Sequence, residues 1–200
     1  MGDAVAGVVL AAGLSSRMGK NKLLLELGGE TVLRRAVRIA IAARLEPVLV
    51  VLGNEHPQAE AELAGLACTA LFNPEFAQGM DTSLRMGISA VPDQAPGAVV
   101  LLADMPFVSA AMVVALVERF RASEAPLVVS SYEGVVAPPI LYGRGLFPEL
   151  LGLEAGDGCG KRVVKRHRTE AAEVSWPASA LADLDVPTDL ERARAHLEGA

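Results

Sequence analysis

Cysteine and long apolar runs are scarce in this chain of 200 residues. Cys68 and Cys159 are too few for a disulfide scaffold and lack the spacing of metal ligands, so we expect two packing residues and a reducing, cytoplasmic setting. No run approaches the roughly 18 apolar residues of a membrane span. Asp3 stands where a signal peptide carries positive charge. Neither secretion nor membrane insertion is therefore expected.

Basic residues are fewer than acidic residues in this chain. The chain has 18 Lys and Arg against 24 Asp and Glu, a net charge of −6, so no global field attracts nucleic acid or anionic lipid. Any phosphate must be bound by a local group of residues. The 52% hydrophobic content and the length predict one compact α/β domain over residues 1–200.

Apolar runs alternate with helical patterns along the chain, which predicts a doubly wound, mostly parallel sheet. The predicted strands cover 6–11, 48–52, 68–72, 98–103, 127–131, 135–142 and 173–176. The predicted helices cover 31–43 after a Thr31 cap, 58–63, 81–90 after Asp81 or Thr82, 109–121 after Ser109, 158–166, and Thr188 to near 197. Because proline cannot donate to a ladder, Pro138 and Pro139 place their strand at a sheet edge. Ligands of such a fold bind beyond the carboxyl ends of the strands.

A loop rich in glycine and basic residues follows the first strand, with the sequence LAAGLSSRMGKNK from Leu10 to Lys22. Ala11, Ala12 and Gly13 are small enough for a ligand to approach the backbone, whose N–H groups can bind an anion. Arg17 and Lys22 add positive charge. The spacing matches neither the Walker loop nor GxGxxG. The loop is typical of phosphate binding; the alternative is a flexible glycine turn with solvated basic side chains.

Acidic residues end two later segments. Asp104 closes a strongly apolar strand in LLADMP, and Asp183 and Asp185 flank Leu184 in DLDVP. A carboxylate at a buried strand end needs a compensating charge or hydrogen bonds, and Mg²⁺ bridging carboxylates and substrate phosphates supplies both. The alternative functions are a turn residue for Asp104 and helix capping for the later pair. The sequence cannot show whether Asp104 and Asp185, 81 residues apart, are neighbours.

Two further segments carry polar residues and glycine. In NPEFAQGMDTSLR, Gly79 permits a close backbone approach and Ser83 can contact the edge of a nucleobase; the alternative is an ordinary loop and helix cap. In GDGCGKR a glycine turn precedes a basic helix over 161–168, which can bind an anionic second substrate or be simply solvated.

Together these segments resemble the MobA-like nucleotidyltransferases, and specifically their molybdenum cofactor cytidylyltransferase branch. The motifs that carry the resemblance are LAAGLSSRMGKNKLLL, GMDTSLRMG, LLADMPFV, PPILYGRGLFPELL, GDGCGKR and DLDVPTDL. The resemblance implies a Rossmann-like three-layer domain of the nucleotide-diphospho-sugar transferase type. It also implies Mg²⁺-dependent transfer of CMP from CTP to the phosphate of molybdenum-bound molybdopterin, with release of pyrophosphate, and a possible client molybdoenzyme or its chaperone as partner.

The resemblance also assigns roles to residues. Nucleotide contacts are expected from Leu10, Ala11, Ala12, Gly13, Arg17, Lys22, Gly79, Ser83 and Asp104. Arg17, Lys22 and Asp104 are the expected catalytic residues, and Asp104 and Asp185 the expected Mg²⁺ ligands. Because the guanylyl branch commonly has LAGG where this chain has LAAG, the first motif favours CTP.

The chain departs from the family pattern before the paired prolines and within the GDGCGKR and DLDVP motifs, and two alternatives remain. Ala137 stands where relatives commonly have His before the paired prolines. The alternatives are a nucleotidyltransferase that uses GTP or another nucleotide, or a sugar or alcohol phosphate acceptor, and a non-catalytic nucleotide-binding protein that delivers cofactor to a molybdoenzyme. None of the three histidines lies in a motif, which is consistent with a phosphate nucleophile that needs no strong general base.

Overall fold

The computed structural model describes residues 4–14, 21–154, 156, 158, 160–184 and 186–198. The strands in this part of the chain are β1 (Ala6–Ala11), β2 (Glu26–Leu27), β3 (Glu30–Thr31), β4 (Val48–Leu52), β5 (Thr69–Phe72), β6 (Gly97–Leu102), β7 (Leu127–Tyr132), β8 (Val135–Gly143) and β9 (Ala172–Trp176). The helices are α1 (Val32–Ala42), α2 (His56–Ala61), α3 (Met80–Ser89), α4 (Ala110–Arg121), α5 (Phe147–Leu151), α6 (Lys161–Arg166) and α7 (Pro187–Glu198).

A seven-stranded sheet in the order β5-β4-β1-β6-β8-β7-β9 forms the middle layer. All of its strands run in parallel except β8, which is antiparallel to both neighbours. The predicted mostly parallel α/β fold is therefore confirmed. Since β1, β6 and β7 point the same way, their carboxyl ends lie along one edge of the sheet, where this class of fold binds its ligands.

Each face of the sheet is covered by its own helices, which makes three layers. Alternate residues of β1 enter opposite cores: Val8 and Leu10 pack in the core shared with α3, α5 and α6, and Val9 packs in the core shared with α1, α2, α4 and α7. This is why the strand is apolar at every position and shows no alternation. At Gly87 of α3, a Cβ would come within 2.3 Å of Val8, so glycine is needed for the helix to pack this closely on β1.

The prediction that Pro138 and Pro139 confine their strand to an edge was wrong, because β8 lies inside the sheet. Its pairing with β6 ends at Ile140, and its pairing with β7 shifts register between Val129 and Ser130. The two prolines therefore fall within an irregular stretch that requires no ladder N–H from them.

Several predicted boundaries also change. Thr31 and Ser109 cap α1 and α4 as predicted, each accepting a backbone N–H. However, α3 begins at Met80 after Gly79, so neither Asp81 nor Thr82 is its cap. The starts of three other helices also differ from the prediction. Helix α2 begins at His56 and α6 at Lys161. Helix α7 begins at Pro187, so Thr188 lies inside the helix rather than capping it. The β2–β3 hairpin was missed because two strands of two residues give too short a pattern.

In the part of the chain that is described, no helix combines the length and the apolar character that crossing a membrane requires.

Candidate active site

A cleft of about 210 Å³ opens at the carboxyl ends of β1 and β6. Its described walls are Leu10, Ala12, Gly13, Leu14, Lys22, Leu23, Phe76, Ala77, Gly79, Met80, Ser83, Leu102 and Asp104. These residues come from four separate segments, namely the first loop, the turn after it, the start of α3 and the end of β6. The fold therefore assembles one concave site from motifs that are far apart in the chain.

Most of the predicted site residues line this cleft. They are Leu10, Ala12, Gly13, Lys22, Gly79, Ser83 and Asp104. Ala11, the last residue of β1, instead packs in the core on the α1 side. Arg17 and Asp185 lie outside the described residues, so their roles stay predictions.

Lys22 and Asp104 form an ion pair, with 2.5 Å between Lys Nζ and Asp Oδ2. Their side chains are only 11% and 23% exposed, so the pair is shielded from water more than a surface pair would be. A short 3₁₀ turn at Lys22–Leu24 positions the lysine, and Asn21 fixes the turn by accepting the N–H of Leu23 at 3.1 Å. The pair is an ammonium group and a carboxylate that neutralise each other inside the cleft.

The DLDVP segment lies next to Asp104 despite its distance in the chain. The N–H of Leu184 donates to the main-chain oxygen of Asp104 at 3.1 Å, and the Leu184 side chain is buried. No pattern in the sequence predicts this bond, because it joins two loops through the fold. Asp104 offers the hard carboxylate oxygen that Mg²⁺ prefers, so this residue fits a divalent cation. Within the described residues, Asp104 is not part of a cluster of three or more potential metal ligands.

The wall opposite Lys22 is built by the start of α3. Gly79 has a φ of +129°, a conformation that other residues rarely adopt, and it caps the helix. The amide of Asn73 donates to the hydroxyls of Thr82 at 2.8 Å and Ser83 at 2.9 Å, which fixes Ser83 at the cleft. Buried Asn73 was not predicted as a site residue, although its place directly after β5 could have suggested it.

Asp81 has a different contact from the one predicted. Its carboxylate, 2% exposed, accepts the N–H groups of Gly156 at 3.1 Å and Gly158 at 3.2 Å. The GDGCGKR segment is thus bound to the first turn of α3. The sequence did not predict this contact, since helix capping explains an acidic residue at that position equally well.

Two arginines of the basic run after this segment, and the histidine between them, form ion pairs or hydrogen bonds within the protein. Arg166 and His167 both contact Glu149, at 2.5 and 2.8 Å, and Arg168 pairs with Glu173. The hydrogen bond from His167, together with those from Arg166, lowers the pKa of Glu149 below its usual value. These contacts join the end of α6 to α5 and to β9, and the binding of an anionic substrate by the basic run stays a prediction.

A buried hydroxyl cluster lies at the end of β7 and was not predicted. Ser130 donates to the carbonyl of Pro139 at 2.7 Å, and Tyr132 donates to that of Pro138 at 2.8 Å. Burial, with a smaller effect of the Asp183 charge, raises the pKa of Tyr132 to about 12. These bonds satisfy carbonyls of the irregular stretch of β8.

Comparison with known proteins agrees with this geometry. Residues 7–172 match the family described as MobA-like NTP transferase domain. Purine catabolism protein PucB of Bacillus subtilis (strain 168) is 34% identical over 203 residues, which cover 94% of this chain and 95% of PucB. Molybdenum cofactor cytidylyltransferase of Escherichia coli (strain K12) is 34% identical over 91 residues, covering 44% of this chain and 46% of that protein.

Among solved structures, Rv0371c of Mycobacterium tuberculosis H37Rv superposes with a TM-score of 0.86 and 28% identity, over 98% of this chain and all of that one. A complex of Rv0371c with manganese gives a TM-score of 0.80 and 26% identity, over 96% and 98% of the two chains. The family match covers most of the chain, and the cleft lies where its motifs converge. The chain therefore belongs to the MobA-like NTP transferase family and is a nucleotidyltransferase.

Proposed function

We propose that this protein is a molybdenum cofactor cytidylyltransferase. An oxygen of the phosphate of molybdenum-bound molybdopterin attacks the α-phosphorus of CTP. The bond between that phosphorus and the oxygen bridging to the β-phosphate breaks, and pyrophosphate leaves. The product is a cytosine dinucleotide form of the cofactor.

The observation that carries this proposal is the Lys22–Asp104 pair in the cleft between the ends of β1 and β6. A triphosphate is a polyanion that competes for Lys22, and a divalent cation competes for Asp104. Lys22 would then contact the phosphates and Asp104 the cation. A metal–nucleotide complex thus supplies each group with a partner of opposite charge. A structural pair would have no reason to lie in a concave, partly exposed site.

The described residues account for the needs of nucleotidyl transfer. The backbone at Ala12 and Gly13 faces the cleft without bulky side chains, so its N–H groups can approach the phosphates. Lys22 stabilises the charge that grows on the leaving pyrophosphate. Asp104, with Asp185, would hold Mg²⁺, which supplies charge neutralisation across the phosphates when bound. The attacking phosphate is already anionic, so no general base is required.

The choice of acceptor and base rests on the motifs and the relatives. The molybdenum cofactor cytidylyltransferase of E. coli is 34% identical where it aligns, and the LAAG form of the first motif favours cytidine over guanosine. Ser83, fixed by Asn73, lies where a base edge can be contacted. The PucB relative acts in purine catabolism by its name.

The test combines binding and turnover. Thermal stabilisation of the purified protein by each of the four ribonucleoside triphosphates, with and without Mg²⁺, should be largest for CTP with Mg²⁺, because a ligand stabilises the state it binds. Pyrophosphate release should then require CTP, a divalent cation and molybdenum-bound molybdopterin together.

The alternatives predict different results. Stabilisation led by GTP would move the proposal to guanylyl transfer. Absence of CTP-dependent pyrophosphate release with the pterin acceptor, alongside normal CTP binding, would overturn the acceptor assignment. CTP binding that Asp104→Ala leaves unchanged, without turnover by the native protein, would indicate a non-catalytic delivery protein.

A further inference from the structure

A second cavity, of about 550 Å³, lies on the face of the sheet that α1 and α4 cover. Its walls come from three segments, namely part of α1 with Glu30 before it, residues 106–110 between Asp104 and the start of α4, and the turn at Ser179 and Ala180. None of the described residues that line the active-site cleft also lines this cavity. The volume is that of a small-molecule site, and the proposed reaction assigns no ligand to it.

Arg35 is an incompletely paired cation in the wall of this cavity. The residue is half-buried. Among the described residues, its guanidinium has a single hydrogen-bond partner, the carbonyl of Pro106, to which Nε donates over a long 3.5 Å. A guanidinium has five N–H donors in a planar fork that matches the paired oxygens of a carboxylate or a phosphate. The cavity therefore offers donors that suit an anionic group.

The other charges of the cavity leave that of Arg35 uncompensated. Arg38, about one turn further along α1, pairs with Glu30 at 3.1 Å, so these two charges cancel. They are, with Arg35, the charged side chains of the described lining. Helix α4 begins at Ala110 in the cavity wall, and the partial charge of its N-terminus is also positive. An anion would compensate this positive charge, whereas a cation or a neutral ligand would not.

The remaining wall is mainly apolar. Ile39 and Ala42 lie on the same side of α1 as Arg35, at spacings of four and seven residues, and Phe107 and Ala180 belong to the other two walls. Such a lining favours a ligand whose apolar part leaves water when it binds. The chemistry of the cavity thus fits a molecule with an anionic end and an apolar body.

We propose that this cavity is a second ligand site, which binds a small organic anion: a phosphate or carboxylate group attached to an apolar ring or chain. The Arg35 guanidinium binds the anionic group, and the apolar walls contact the body of the ligand. The site goes beyond the proposed transfer of CMP, and its occupation does not depend on that reaction.

Three probes test this chemistry. Phenyl phosphate carries both features, whereas inorganic phosphate and phenol each carry one. In an NMR titration with saturating Mg²⁺ and CTP, phenyl phosphate should shift the amide signals of Ile39, Phe107 and Ala110 with a dissociation constant of about 1–10 mM, as expected for a ligand of its size. Inorganic phosphate and phenol should each bind at least about tenfold more weakly, because each lacks one set of contacts.

Three variants assign the binding to Arg35. Arg35→Ala should weaken phenyl phosphate binding at least about tenfold, because charge-assisted hydrogen bonds are lost. Arg35→Lys keeps the charge without the planar fork, so it should have an intermediate effect, and it covers the case in which Arg35→Ala does not fold. Arg119→Ala removes the same charge from an exposed position near the other end of α4 and should change the affinity by less than about twofold.

Three results would overturn the proposal. The first is the absence of shifts at the three amides at about 100 mM phenyl phosphate, well above the expected dissociation constant. The second is equal weakening by Arg35→Ala and Arg119→Ala, which would indicate an effect of net charge alone. The third is a set of shifts confined to residues of the cleft, such as Ser83. If CTP does not bind, the proposed function fails, but the same titration without CTP still tests the cavity through the same three amides.

Discussion

The two halves of the sheet carry different chemistry along the same edge. Where β1 and β6 end, small residues surround the Lys22–Asp104 pair in an open cleft. Where β7 ends, the buried hydroxyls of Ser130 and Tyr132 already donate to carbonyls of β8. The first half presents an ion pair that lines the cleft, whereas these two hydroxyls of the second half have partners within the chain.

This difference indicates which half of the sheet can bind a ligand without leaving a buried group unpaired. In the proposed function, a metal–nucleotide complex would replace the contact between Lys22 and Asp104 with two contacts of the same kind, so that neither charge would be left buried and unpaired. Separating Tyr132 from the carbonyl of Pro138 would leave a buried acceptor unsatisfied, which costs about 1–3 kcal/mol. We therefore expect substitutions in the first half to affect catalysis and substitutions in the second half to affect stability.

The largest effect is expected from Asp104→Asn. This substitution removes the charge that binds the cation and should lower kcat by at least about 10²–10³-fold, the range found when one electrostatic contributor is removed. Folding should be preserved, because the main-chain oxygen of Asp104, not its side chain, accepts the Leu184 N–H. Steady-state pyrophosphate release measures kcat, and thermal melting measures the stability of the fold. Loss of the fold together with activity would show that the carboxylate is structural.

Lys22→Met should lower kcat/KM for CTP by about 10²-fold, because a phosphate contact is lost. The same substitution should strengthen Mn²⁺ binding in the absence of nucleotide, since Lys22 no longer occupies Asp104. Electron paramagnetic resonance of free Mn²⁺ measures this directly. Equal metal affinity in the native protein and the variant would mean that the ion pair does not compete with the cation.

Tyr132→Phe tests the second half of the sheet. It should destabilise the protein by about 1–2 kcal/mol at pH 7, because the Pro138 carbonyl loses its donor, and it should leave CTP affinity unchanged. The folded-state pKa of Tyr132 is about 12 against an ordinary value of 10.0, so its contribution is complete below pH 10 and disappears as pH rises toward 12.

Urea unfolding at pH 8 and pH 11 should therefore show a smaller stability difference between native and variant at the higher pH. A stability difference that does not depend on pH would contradict the raised pKa of Tyr132. A loss of CTP affinity in the variant would contradict a purely structural role for this residue.

The two halves of the sheet also differ in how well the sequence predicts their structure. In the first half, apolar runs predicted β1 and β4 to the residue, and the rule of strand ends located Gly13 and Asp104 at one edge. Local signals are sufficient for these strands because each is a continuous apolar run. Cap chemistry likewise identified Thr31 and Ser109, whose bonds span three residues.

In the second half the decisive contacts are long-range. The position of β8 depends on a register shift at Val129, which frees two prolines from the ladder and which the pattern of apolar residues does not reveal. The N–H of Leu184 donates to the main-chain oxygen of Asp104, and the N–H groups of Gly156 and Gly158 donate to the Asp81 carboxylate. Each of these bonds joins segments about 80 residues apart. Such contacts exist only after the sheet has formed, so no local rule predicts them.

The smallest effect is expected from Glu149→Gln, which alters only the link between α5 and α6. The hydrogen bond from His167 at 2.8 Å lowers the pKa of Glu149 below 4.5, so its stabilising contribution is present above about pH 4.5 and is lost as pH falls further. Because Arg166 is 56% exposed and screened by solvent, we expect a loss of only about 0.5 kcal/mol at pH 7. In chemical denaturation, the stability difference between the native protein and the variant should shrink as pH falls below 4.5. Since Glu149 does not line the cleft, CTP affinity and kcat should not change, and a change in either would mean that the basic helix contributes to the active site.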